Sequence, residues 1–455
     1  MLVSHFFFQL CTMINEKTGE NVPIIRKIVR MTVPTVLSNI SVPLLGLCDT
    51  AVAGHMDGER YLAGIAIGSV MITTMYWLFS FLRAGTSGIT ATCFGSGDRA
   101  GMGLSMRNSV TLAVAIGMLL TAFNDPMLEV LQKVMGASSE VTELSDRYFS
   151  ICIMGAVPMM VLTALTGWMI GMQSTAAAMA VNIGMSVLNV ASTLTLVYGF
   201  GMGFDGIAWG TLTAQWLILI PAWWIAVRLC RRHGVTLGGG RRILLDRQGW
   251  RKMLSVNGNL FFRSACLIAL SLMLYAYSAR LGDVEVSSNA VINQLFLFFS
   301  YFMDGFAFTG EALVGRYSGA GDGHMLGLAI KGLLKWTVGI TLVFVAVYSL
   351  ALPYIVRLLS NSAAVLSSVE DCRVWVSLLP AAGAVAFIYD GFYIGLTKTR
   401  PMLISTLCGV GLFAVLINVV SHTQWMLWMS FTCYLALRSL ILILLFRTPS
   451  DGKPA

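Results

Sequence analysis

Charge is what this chain is short of. Only 11% of its 455 residues are Asp, Glu, Lys or Arg, where soluble domains carry about 25%. A globule of this size needs a charged skin to stay in water, so an ordinary soluble fold is excluded. Paired cysteines are missing too. Nine cysteines lie singly between Cys11 and Cys433 with no C-x-x-C spacing, which excludes a disulfide framework and a zinc site. Five histidines fall in tails or loops, and no H-E-x-x-H helix or intramembrane Ser/His or Asp pair at catalytic spacing is present, so an enzyme is not expected. No Walker lysine pattern accompanies the glycine-rich turns. Without a nucleotide site, any uphill work must draw on an ion gradient. The stretch MLVSHFFFQLCTMINEKTGEN lacks a basic leader and a small-residue cleavage site, and does not read as a signal peptide.

What the chain has is apolar length, with 56% hydrophobic residues. A helix needs about 20 apolar residues to cross the hydrocarbon core, because every backbone polar group must be satisfied internally. Twelve runs qualify, near 31–54, 62–83, 106–124, 148–171, 177–199, 206–227, 260–281, 289–314, 330–353, 374–396, 402–420 and 425–446. The expected fold is an all-α integral membrane protein of twelve helices. Lys and Arg concentrate in alternate loops, leaving mainly Arg60, Lys133, Arg147, Arg280, Arg357 and Arg373 on the opposite side. The positive-inside rule then places both termini in the cytoplasm of a bacterial-type inner membrane. The net charge of +8 follows from that bias and implies no nucleic acid. The most basic loop, 228–257, contains Arg231, Arg232, Arg241, Arg242 and the run Gly238-Gly239-Gly240. It reads as a linker resting on anionic lipid head groups.

An internal repeat organises the spans. Gly167-Trp-Met-Ile-Gly-Met-Gln-Ser-Thr175 returns as Gly391-Phe-Tyr-Ile-Gly-Leu-Thr-Lys-Thr399, and Gly95-Ser-Gly-Asp98 as Gly319-Ala-Gly-Asp322. Both pairs share one offset of 224, read from these positions. Six spans per copy make the halves parallel repeats about an axis along the membrane normal. The division is a segment 1–30, a first lobe 31–227, a linker 228–259, a second lobe 260–446 and a tail 447–455. Two lobes rocking about a cleft suit alternating access. The Gly-x-Gly-Asp turns read as tight turns in which glycine supplies positive φ.

Charges inside spans are costly and face a cavity or a partner. In span 1, Pro34 and Pro43 remove the helical hydrogen bonds to the carbonyls of Arg30 and Asn39, which favours a kink. Asp49 follows Pro43 by about one and a half turns. A carboxyl held from water takes up a proton more readily, so Asp49 is the candidate ion-coupling group. Its alternative is a permanently paired helix lock. Arg83 lies too deep on span 2 to reach it, and serves the inner half of the cleft or snorkels. Arg263 and Arg438, near span ends, read as snorkelling. Asp304 and Glu311 share a helix face, and they and Asp390 are candidates for the second lobe's cavity. Asp390 corresponds in the first half to Thr166, which suggests different chemistry in the two lobes.

These residues carry a family resemblance. Pro34, Leu47-Cys-Asp49-Thr50 and Gly54-His55 resemble the multidrug and toxic compound extrusion family. Ser38-Asn-Ile-Ser-Val-Pro43, Phe81-Leu-Arg83, Asp304-Gly-Phe306, Glu311-Ala and Asp390-Gly are similar to its DNA-damage-inducible (DinF-like) branch. The resemblance implies cation-coupled efflux of amphiphilic, often cationic compounds, the coupling ion taken by Asp49 with bending at Pro34. It also implies that Asn189 and Thr211 complete that polar cluster. In some members an acid follows that asparagine by four residues, where this chain has Thr193. The span 7 acid of a sodium-coupled branch is absent as well, span 7 holding Arg263 and no carboxylate.

The expectation is therefore a proton-coupled antiporter, with sodium held by Asp49, Asn189 and Thr211 oxygens as the other ion. Its partners are small-molecule substrates and the lipid bilayer, and it works as a monomer without cofactor or metal. The rivals are a lipid-linked precursor flippase, which needs a cationic cavity, then a membrane-embedded enzyme, and a channel that conducts without exchange.

Overall fold

A computed structural model describes residues 22–54, 59–135, 139–236, 247–419 and 423–447. The initial apolar stretch and the Gly238-Gly239-Gly240 and Arg241-Arg242 segment lie outside the described residues. Pro43 and Asp49 have their backbone on a described helix, but their side chains fall outside the description.

All regular structure among the described residues is helical. In chain order the helices are α1 (Val22–Gly54), α2 (Glu59–Leu78), α3 (Phe81–Gly95), α4 (Arg99–Ala122), α5 (Asn124–Met135), α6 (Ser139–Cys152), α7 (Ala156–Gly171), α8 (Thr175–Leu194) and α9 (Gly203–His233). They continue as α10 (Arg247–Leu281), α11 (Asp283–Gly319), α12 (Gly323–Leu350), α13 (Leu352–Leu359), α14 (Ala363–Asp371), α15 (Arg373–Gly395), α16 (Arg400–Val419) and α17 (Gln424–Leu445). Eleven helical stretches among the described residues are long and apolar enough to cross a bilayer. With the 33-residue α1 they make the twelve-helix membrane fold. α2 and α3 form one such stretch with a break at Phe79-Ser80, as do α6 and α7. The second span thus runs on to Gly95, well past the residue 83 expected from hydropathy. Its hydroxyls at Thr86, Ser87, Thr90 and Thr92 lower the hydropathy without stopping the helix.

The chain divides into two compact units, Leu37–Leu254 (the N-unit) and Met1–Val36 with Ser255–Ala455 (the C-unit). The division cuts α1 two residues after Pro34, so the first half of that helix belongs with the later spans. Its polar contacts explain why. Thr32 Oγ1 lies 2.9 Å from Thr309 Oγ1, and the Thr35 hydroxyl lies 2.9 Å from the Gly305 carbonyl. Thr35 is also 2.8 Å from the Thr32 carbonyl, bonding within the turn where Pro34 has no N–H to give.

Apolar burial gives no net drive between helices in lipid, so close packing and interhelical hydrogen bonds take over. Glycines supply the close approach, and they do so at equivalent places in both units. A Cβ on Gly167 would lie 2.8 Å from Arg83 Cα, and one on Gly391 would lie 2.8 Å from Ala307 Cα. One turn on, Cβ atoms on Gly171 and Gly395 would meet the carbonyls of Ser87 at 2.7 Å and Glu311 at 2.8 Å. Arg83 and Ala307, like Ser87 and Glu311, are again 224 apart. The turns match as well. Gly97 and Gly321 have φ of 72° and 68°, and Gln173 and Thr397 of 62° and 57°. Asp98 accepts from Gly101 N at 2.8 Å and Asp322 from Met325 N at 2.9 Å. Each is an N-cap satisfying an orphan donor of the following helix. The Gly-x-Gly-Asp motif is therefore a turn and cap.

Candidate functional site

The three expected ion-coupling residues, Asp49, Asn189 and Thr211, all belong to the N-unit. Asn189 lies on α8 and Thr211 on α9, where small residues let the backbones meet. A Cβ on Gly210 would lie 2.6 Å from Thr193 Cα. At this contact Asn189 donates through Nδ2 to Thr211 Oγ1 at 2.9 Å. Asn189 is 1% exposed and Thr193 wholly buried. Their Oδ1 and Oγ1 atoms are buried without a hydrogen-bond partner, a costly arrangement in protein interiors. α8 then ends in a π-helical turn, Thr195–Gly199, a feature frequent at functional sites.

Asn182, two turns before Asn189 and on the same face of α8, donates to Ser38 Oγ of α1 at 2.7 Å. That bond registers α8 against α1. The two helices are the first and fifth spans, so they run in the same direction. Asn189 lies about 10 Å beyond Asn182, and the Asp49 backbone about 16 Å beyond Ser38. The Asp49 position is thus about 6 Å further along the axis than Asn189. The sequence reading did not find the Asn182–Ser38 register. Its signal was a second asparagine at i−7 from the first.

The C-unit interior is charged instead. Asp390 of α15, buried, accepts from Arg263 Nη2 of α10 at 2.6 Å and, through the same Oδ2, from Arg438 Nη2 of α17. The Arg438 side chain is 4% exposed and that of Arg263 19%. Their places near span ends favour snorkelling to the membrane surface. That is overturned, because the guanidiniums turn inward to a carboxylate and a buried charge needs a partner. Asp390 is therefore not an isolated acid. Glu311 is 1% exposed and Asp304 half-buried on α11, seven residues apart. Asp304 is near enough to Arg263 to act on its charge. Arg83 is half-buried at the start of α3, its backbone against Gly167. Among the described residues no three His, Cys, Asp or Glu side chains gather as a metal site would require.

At the start of α1, ahead of its apolar run, Lys27 Nζ donates to Tyr317 Oη at 3.3 Å and lies 5.0 Å from that ring's centre. Burial, and then the neighbouring Arg316, lower the Lys27 ammonium to about 8.

With this geometry in hand, comparison with known proteins is informative. A family model described as MatE matches residues 34–195 and 260–420, one match in each half. The chain is 30% identical to "DNA damage-inducible protein F" of Escherichia coli strain K12 over 92% of its own length and 91% of that protein's. It is 26% identical to "Probable multidrug resistance protein NorM" of Deinococcus radiodurans over 93% and 96%. The structure resembles that described as MATE in the bent conformation, with a TM-score of 0.80 at 19% identity, covering 94% of this chain and 97% of that one. An outward-facing multidrug resistance MATE family transporter gives 0.77 at 21% identity with the same coverage. At such identities the structures speak for the fold.

Proposed function

The chain belongs to the MatE family of multidrug and toxic compound extrusion transporters, and from that premise we infer that it is a proton-coupled antiporter of the inner membrane. It is a multi-pass membrane transporter and not an enzyme. In the proposed cycle an amphiphilic, often cationic compound enters from the cytoplasm, and a proton taken up from outside on Asp49 drives its release. Asn189 and Thr211 serve as the polar neighbours of Asp49. Asp304 and Glu311 contribute acidic character to the cavity of the C-unit, and Arg83 is a candidate cavity residue of the N-unit. Both termini are cytoplasmic and the monomer suffices.

The observation that carries this reading is the contrast between the two candidate acids. Asp390 has two guanidiniums on it, so its carboxylate is committed to holding two buried cations together. Asn182 bonds Ser38 on the helix that carries Asp49, and Asn189 bonds Thr211, which supports a neutral polar setting for Asp49 in this reading. Neutral neighbours leave a carboxyl free to change charge. Engagement of both arginines with Asp390 also argues against the flippase, which needs cations open to a phosphate.

The test is uptake of a fluorescent cationic dye by everted vesicles under an imposed pH or sodium gradient. Asp49→Asn should abolish gradient-driven uptake while leaving downhill exchange. Undiminished pH-driven uptake in that variant would remove Asp49 from the mechanism. A response to sodium alone would replace the proton.

A further inference from the structure

We propose that the N-unit carries a binding site for an anionic phospholipid where the end of α9, the start of α4 and the start of α10 meet. α9 ends in Arg231, Arg232 and His233 and is capped by Gly234 in the left-handed conformation, with φ of 62°. Arg99, the first residue of α4, lies over that cap, 3.1 Å from where a Cβ on Gly234 would sit. His233 meets Phe94 at the end of α3 edge-on, at 5.5 Å between ring centres. Lys252 of α10 is near enough to Cys93, next to Phe94, to act on its charge.

Arg99, Arg228, Arg231, Arg232 and Lys252 are all exposed. Among the described residues none of them has an ion pair. Among the described residues the nearby carboxylate is Asp98, which already caps α4. The carbonyl end of α9 offers about half a negative charge, which offsets only a fraction of five cations. The contrast within the unit is informative, because Arg60 and Arg147 elsewhere on it pair with Glu140 and Asp205. Among the described residues this end has no counter-ion of its own, and it calls for an external one.

The apolar part of the site follows from helix geometry. Trp223 and Trp224 are 44% and 60% exposed, and the Arg228 guanidinium lies 5.4 Å from the Trp224 ring centre. Indoles favour the membrane interface. At 1.5 Å per residue, Arg228 to Arg232 rise about 6 to 12 Å beyond Trp224, roughly the depth of a head-group layer. One side of α9 thus presents apolar rings at acyl depth and unpaired cations at phosphate depth, which is the pattern of a phosphodiester carrying acyl chains. A soluble phosphate would use the cations and ignore the rings.

The test is native mass spectrometry of the full chain released from detergent, titrated with phosphatidylglycerol or with phosphatidylcholine. Phosphatidylglycerol should bind more tightly than phosphatidylcholine. Arg231→Gln with Arg232→Gln should weaken it by roughly fivefold per arginine. The corresponding double Lys variant should retain it, and Arg357→Gln, exposed in the C-unit, should change nothing. Arg99→Gln at an exposed helix start repeats the reading without touching α9, should the double variant fold poorly. Equal binding of the two lipids, or no loss in the Gln variants, would overturn the site. Displacement of the lipid by glycerol 1-phosphate at equal concentration would overturn the lipid in favour of a soluble phosphate ester.

Discussion

The two units share a backbone plan and differ in what they bury. Gly167 on Arg83 and Gly391 on Ala307, the Asp98 and Asp322 caps, and the left-handed residues Gln173 and Thr397 repeat at one spacing. Where the N-unit has Thr166, bonded to its own helix at the Leu162 carbonyl, the C-unit has Asp390 holding two arginines. Buried side-chain bonds in the N-unit join neutral groups, as in Thr86 to Ser109 and Thr90 to Ser105, both at 2.8 Å. The C-unit is also richer in aromatic packing, with Phe299, Phe302 and Phe344 meeting edge-on. Duplication explains the plan, and the contents show how far each copy has moved. One copy buries neutral hydroxyls and amides, and the other buries a carboxylate held by two arginines.

The strongest way to break this comparison is to give the C-unit the N-unit's residue. Asp390→Thr leaves two buried guanidiniums without a carboxylate, and should cost about 3–5 kcal/mol in thermal unfolding of the detergent-solubilised chain. Arg263→Met and Arg438→Met added to Asp390→Thr should restore most of that loss. Thr166→Ala, at the equivalent position, should cost under about 1 kcal/mol. A mild Asp390→Thr would mean that the triad is not a lock.

The shared plan can be sharpened by matched pairs. Gly167→Ala and Gly391→Ala each drive a methyl into the facing backbone, so both should lose about 1–3 kcal/mol by the same measurement, and by similar amounts. Unequal losses would show that one glycine contact is slack. Asp98→Ala and Asp322→Ala should each lose about 1 kcal/mol, again alike.

The smallest effect concerns Lys27, whose place at the repeat spacing is taken in the N-unit by Arg251. Its ammonium is lowered to about 8 in the folded chain, so between that value and the unfolded one near 10.5 the unfolded chain binds more protons. The penalty is fully present below pH 8 and is relieved as pH rises through that window. Lys27→Met should therefore melt slightly above the parent at pH 7.5, and the gap should close by pH 10. A gap independent of pH would assign it to packing against Tyr317.

Much of this was legible in the sequence, for identifiable reasons. Twelve spans follow from apolar length, and the repeat from two matched motifs, because close glycine contacts and capped turns admit few residue types. The Asp390 triad was not legible. Its members are 127 and 48 residues apart, and one sequence does not say which helices touch. Arg438 lies two turns from the end of α17, within reach of the surface for a long side chain, so position alone favoured snorkelling. The N-terminal half of α1 was likewise placed with the first lobe, since order along the chain gives no hint that Thr32 and Thr35 bond α11.

The most direct measurement is the number of protons moved per dye molecule in proteoliposomes, taken for the parent, for Asp49→Asn, and for the neutral Asp390→Thr, Arg263→Met, Arg438→Met variant. Loss of proton movement in the first variant with an unchanged ratio in the second is the predicted result. Proton movement that survives without Asp49, or vanishes with the triad, would place the coupling in the C-unit and contradict the account.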